Sequence, residues 1–123
     1  MTAVDLEPVA LDASALAGTW LNTNAQSRGI VRFDIAVQAA GIAVTAAGSE
    51  PWGTVLADTF SVDGFDADEA LAFSAVFAFG FMEVRLQANI KGGVLVVAAF
   101  TRFEDESGRQ HYFAREFYYR SAR

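Results

Sequence analysis

Residues 70–103 read ALAFSAVFAFGFMEVRLQANIKGGVLVVAAFTRF, and the way this tract divides decides the fold. Lys91-Gly92-Gly93 is a hairpin signal before Val94–Phe103. Gly80 divides the earlier part in one of two ways. In a tight turn it makes Ala70–Phe79 and Phe81–Ile90 a hairpin; as a bulge it leaves one long bent strand. About ten residues is already long for a strand, so the turn is the preferred reading. In the second segment Glu83, Arg85, Gln87 and Asn89 alternate with Met82, Val84, Leu86 and Ile90, a solvated face against a buried one.

Working outward, the same period of two recurs. Gly29–Gln38 sets Val31, Phe33, Ile35 and Val37 against Ile30, Arg32, Asp34 and Gln38. Further β runs fall at Ala17–Thr23, Ile42–Ala47, Trp52–Val62 and Gln110–Arg120, each bounded by Gly, Asn, Ser or Pro. No strong helical period runs between residues 17 and 120. The prediction is an all-β fold of eight strands, seven if Gly80 is a bulge. Short connections make successive strands antiparallel neighbours, and eight of them close into an up-and-down meander barrel. A two-sheet β-sandwich is the alternative. Residues 1–14 read as an N-terminal arm, with a helical turn at Asp12–Leu16 that Asp12 can cap, and residues 15–123 as one barrel domain.

The chain has 123 residues, 53% of them apolar, with eleven Phe and no Cys. Disulfides, thiolate metal sites and cysteine nucleophiles are therefore excluded. Fifteen acids face nine bases; residues 1–69 carry −8 and residues 70–123 carry +2. This balance disfavours nucleic acid as a partner. No signal-peptide pattern lies in Met1–Ser14, and no apolar stretch has the length of a membrane helix. A soluble, cytoplasmic protein with no membrane partner is expected. Both parities of Val94–Phe100 are apolar, and Ala70–Phe79 is nearly as bare. A barrel buries only its inner face, so the surplus predicts a homo-oligomer formed through these outer faces.

At Gly18-Thr19-Trp20, after Leu16 and before Leu21-Asn22, the chain resembles the first strand of the calycins. These small barrels include lipocalins, fatty-acid-binding proteins and avidins, and share G-x-W at this place. The resemblance implies that Trp20 closes one end of the barrel and that a base from the final strand, Arg115 or Arg120, packs across its ring. It also implies an inward Asn22 and a lumen suited to a small apolar ligand. Biotin binding is not implied, because only Trp20 and Trp52 are present where an avidin pocket needs several Trp.

Few residues offer chemistry. His111 is the sole histidine, which excludes a multi-histidine metal site and reads first as a strand-start residue near the rim. Asp58 shares parity with Trp52, Thr54, Leu56, Phe60 and Val62. If that set faces the lumen, Asp58 is a carboxylate in apolar surroundings, suited to proton transfer or to anchoring a ligand's polar end. If the lumen takes Gly53, Val55, Ala57 and Thr59 instead, Asp58 stands in water. Arg102 poses the same question, and an inward Asp58–Arg102 pair is a candidate site. The last strand mixes aromatic and charged residues at both parities, so its inner set stays open. Phe73, Phe77 and Phe79 share a face and read as core. The acidic loop Asp63–Glu69 lacks the oxygen spacing of a calcium loop.

Three functions follow. The first is a barrel that holds a small hydrophobic molecule against Trp20, Asn22, Trp52, Asp58 and Phe77. The second is a cofactor-independent cyclase or isomerase using Asp58, Arg102, His111 and a Tyr of the last strand. The third is a non-catalytic assembly domain with a filled lumen. A ligand site calls for a void of several hundred cubic ångströms. No cofactor or metal is called for by any of the three.

Overall fold

Alternation along the chain closes on itself in space. The computed structural model describes residues 11–39, 41–62 and 68–121. Eight strands run β1 (Gly18–Asn22), β2 (Arg32–Gln38), β3 (Gly41–Ala47), β4 (Pro51–Phe60), β5 (Ala72–Ala78), β6 (Met82–Lys91), β7 (Val94–Phe103) and β8 (Tyr112–Arg120). Each pairs antiparallel with the next, and β8 returns to β1 through Trp20↔Arg120 and Asn22↔Tyr118. The result is a closed up-and-down barrel. Gly80 lies in the turn between β5 and β6, where the Phe79 N–H donates to the Met82 carbonyl at 2.9 Å, so the strand count is eight.

The inner face is a packed core. Phe33, Phe73, Ile42, Val44, Leu86 and Leu95 are wholly buried, and Phe77, Val84 and Val97 nearly so. Phe33 meets Tyr118 edge-on at 4.9 Å between centroids and Phe73 at 6.4 Å, the offset geometry that aromatic quadrupoles favour. β5 turns Phe73, Ala75 and Phe77 inward and leaves Ser74, Val76 and Ala78 outside. Of the exposed large apolar residues, Phe100, Phe113, Phe117 and Tyr119 share the outer face of β7 and β8, Leu56 and Phe60 lie on β4, and Val76 is the one on β5.

One end of the barrel is sealed by the chain that enters it. Of the N-terminal arm only residues 11–14 are described; they lead into a 3-10 turn at Ser14–Leu16. Asp12 Oδ1 accepts the Ser14 N–H at 3.0 Å. The Asp12 backbone donates to Asp68 and accepts from Ala70, both at 2.8 Å, tying the entry segment to the connection before β5. Leu16 and Trp20 fill the end, and the indole N–H donates to the Leu16 carbonyl at 3.0 Å.

Strand β4 departs from simple alternation. Ala46 pairs with Gly53 but Ala47 pairs with Pro51, so Trp52 is an extra residue in a β-bulge. Gly53 takes φ +103°, a conformation that costs a side chain and suits glycine. The bulge switches parity: Trp52 points into the barrel before it, and Val55 and Ala57 do so after it. Asp58 is accordingly exposed, on the outer face with Thr54 and Leu56. β4 pairs with β5 only through Asp58↔Ser74, Thr59↔Phe73 and Phe60↔Ala72. Where the two strands splay, Trp52 covers the gap, edge-on to Phe77 at 5.6 Å and to Phe79 at 5.2 Å.

Candidate functional site

Opposite the sealed end, the strands open toward the 23–31, 48–50, 79–81 and 104–111 connections. Here the lumen keeps a cavity of about 110 Å³. Its walls are Trp52, Met82, Val84, Leu86, Val97 and Ala99, and its rim carries Arg28, Thr101, Tyr112, Glu116 and Tyr118. The void is smaller than the several hundred cubic ångströms expected of a ligand barrel, because buried side chains including Phe33, Phe73 and Phe77 fill much of the lumen.

Each polar rim residue reaches the cavity for a local reason. Leu95 and Val97 on β7 are buried, which carries Ala99 and Thr101 inward by the period of two. Thr101 is 5% exposed and lines the cavity. On β8 the inner set is Tyr112, Ala114, Glu116 and Tyr118. The loop before β2 passes close to it: a Cβ at Gly29 would sit 3.1 Å from the Glu116 Oε1. Glycine there makes room for the carboxylate.

The base of this rim is a fixed hydrogen-bond node. The Tyr118 hydroxyl donates to the Ile30 carbonyl at 2.6 Å, and Asn22 Nδ2 donates to the same carbonyl at 2.9 Å. Asn22 Oδ1 accepts the Asn24 N–H at 2.8 Å. Burial pushes the Tyr118 phenol well above its ordinary range, and the Glu116 charge adds to the rise. Tyr118 is thus held neutral, as a hydrogen-bond donor.

The residues singled out from the sequence separate into three places. Trp52 lines the cavity. Trp20, Asn22 and Phe77 are buried inside the barrel without lining the cavity: Trp20 at the sealed end, Asn22 in the hydrogen-bond node, and Phe77 against Trp52. Asp58, Arg102 and His111 lie on the outside. The expectation that Asp58 lines the lumen, alone or paired with Arg102, is corrected: the Trp52 bulge reverses the strand's parity, and Arg102 alternates with the buried Thr101. Arg102 and His111 share an outer groove of about 410 Å³ with Arg85, Phe100 and Phe113. Arg102 pairs with Glu104 at 3.7 Å and Arg85 with Glu83 at 3.2 Å, and His111 Nδ1 accepts the Phe103 N–H at 3.0 Å. These charges answer one another locally. Among the described residues no group of three or more His, Cys, Asp or Glu is arranged to hold a metal ion.

Thr101 and Glu116 were not reached from the sequence, and Tyr112 and Tyr118 only as unassigned tyrosines of the last strand. The usable signal was the pairing of the last two strands, because once Leu95 and Val97 are inward their partners Tyr118 and Glu116 are inward too.

Fold and site together define a closed, eight-stranded, up-and-down β-barrel with one sealed end and a small mouth cavity. No family model, curated protein or solved structure matches the chain. Among the described residues no helix is long and apolar enough to cross a membrane.

Proposed function

We propose that the chain is a calycin-like binding barrel whose mouth takes a short, mainly apolar molecule with one hydrogen-bonding end. The observation that carries this reading is the mouth cavity itself. Its apolar walls at Trp52, Val84 and Val97 meet the Thr101 hydroxyl and the Glu116 carboxylate on one side. A cavity of this size sets the ligand's class: an engineered apolar cavity of about 150 Å³ admits benzene. Only a few heavy atoms enter, and the rest of any larger molecule lies in the open mouth.

Apolar contact supplies the affinity and the rim groups set orientation. Glu116 accepts from a hydroxyl or amide N–H, and Thr101 either donates or accepts. The test uses phenol and 1-butanol as probes in saturation-transfer NMR. Wild-type protein transfers saturation to both, and Ala114→Leu, which fills the cavity, abolishes transfer while far-UV circular dichroism is unchanged. Equal transfer to both proteins, or none to either, overturns the reading.

A cofactor-independent isomerase or cyclase is the second reading. It is favoured by Tyr112 and Glu116, a phenol and a carboxyl group on one cavity rim.

A further inference from the structure

We propose that the outer face of β7 and β8 is the contact surface between two copies of this chain, packed face to face about a two-fold axis. On β8 this face carries Phe113, Phe117 and Tyr119, exposed by 53, 45 and 48%, and on β7 it carries Phe100, exposed by 45%. The register sets them side by side. Phe100 is opposite Phe113, with ring centroids 4.9 Å apart, and Val96 is opposite Phe117. At about 200 Å² for each ring, these four expose roughly 400 Å². A partner in a stable interface contributes about 800 Å². Rings alone thus supply about half of what a dimer needs, and the half-buried Val94, Val96 and Ala98 on the same face of β7 add to it.

The surroundings have the anatomy of an interface. On the β6 side, Arg85, Gln87, Asn89 and Lys91 stand opposite Phe100, Ala98, Val96 and Val94 and form a polar border. Within the patch the outward charges of β7 and β8 are Arg102 and Arg115 only, the cation that interfaces retain. Arg102 is answered by Glu104, whereas Arg115 has no acidic partner among the described residues.

Those features select a second copy as the occupant. β1 and β8 are paired, so no free edge at β8 invites an added strand, and the face offers only side chains on the barrel's outer surface. A two-fold contact must also be self-complementary. Arginine among aromatic rings meets that condition, because Arg115 of each copy lands on the partner's rings as a cation over π faces.

The test measures mass by sedimentation at 5 and 50 µM for wild type and for Phe117→Asp, with circular dichroism as the check on folding. Wild type is expected as a dimer, and the variant at least tenfold weaker in association. Because the chain has no cysteine, single Ala98→Cys, Arg115→Cys and Phe117→Cys variants add a second readout. At least one is expected to cross-link to itself under mild oxidation, while Leu56→Cys on the far side does not. A wild-type monomer at 50 µM overturns the proposal. So does a dimer that Phe117→Asp leaves intact and that cross-links no better from β7–β8 than from residue 56.

Discussion

The Arg120 guanidinium lies over the Trp20 ring, 4.3 Å from its centroid, and donates to the backbone carbonyls of Ala15 and Ala17. The last residue of β8 therefore holds both the first strand and the segment that enters it. This is the relationship that the G-x-W resemblance implied, with Arg120 rather than Arg115 in the role. It explains how a barrel whose first strand has only five residues closes at that end.

Removing this clasp has a definite cost. Arg120→Ala loses a cation–π contact and two charge-assisted hydrogen bonds, together about 2 kcal/mol. Thermal unfolding should show a midpoint lowered by roughly 8 °C for a chain of this size. Arg120→Lys recovers part of it, because an ammonium reaches the ring but does not fork to both carbonyls.

The Ile30 carbonyl predicts non-additivity. Tyr118→Phe and Asn22→Ala each leave it one donor, so each costs about 1–2 kcal/mol. The double variant leaves a buried carbonyl unsatisfied and should cost about 1–2 kcal/mol more than the sum. Urea unfolding of the four proteins measures the cycle; a purely additive result contradicts the shared node.

Tyr118 also predicts an alkaline limit. Its phenol is raised above the ordinary value of 10.0, so the folded state holds the proton more tightly than the unfolded state. That stability is fully present below about pH 10 and is lost as pH rises toward the folded value, with a slope near 1.4 kcal/mol per pH unit. Unfolding free energies between pH 9 and pH 11 should show this fall in wild type and a flatter profile in Tyr118→Phe.

Asp58 and Arg102 serve as negative controls. Both are exposed, so Asp58→Asn and Arg102→Gln should each change stability by less than about 0.5 kcal/mol. Neither should alter saturation transfer to phenol. Glu116→Gln should change the relative response to phenol and 1-butanol, because it replaces an acceptor on the cavity rim with an amide.

Much of the barrel was legible because alternation survives in most strands. Val94–Phe103 is bounded as the hairpin signal and polar turn dictate, and the Glu83–Asn89 face is solvated as its pattern requires. The site was less legible for two physical reasons. In β4 the count of two carries across Trp52 and Gly53, but a bulge inserts one residue and leaves no trace in the apolar pattern. In β8 both faces carry aromatics, the inner set for the lumen and the outer set exposed, so parity alone did not separate Glu116 from Arg115. Phe73 and Phe77, read as core, are buried in the lumen together with Phe33, which leaves only a small cavity at the mouth.

The most direct measurement is a crystal structure of the protein soaked with phenol. Phenol is expected between Trp52, Val84 and Val97, with its hydroxyl within hydrogen-bond distance of Thr101 or Glu116. A lumen closed by Trp52 and Met82 with no phenol inside, or phenol found only in the outer groove at Arg102 and His111, would contradict this expectation.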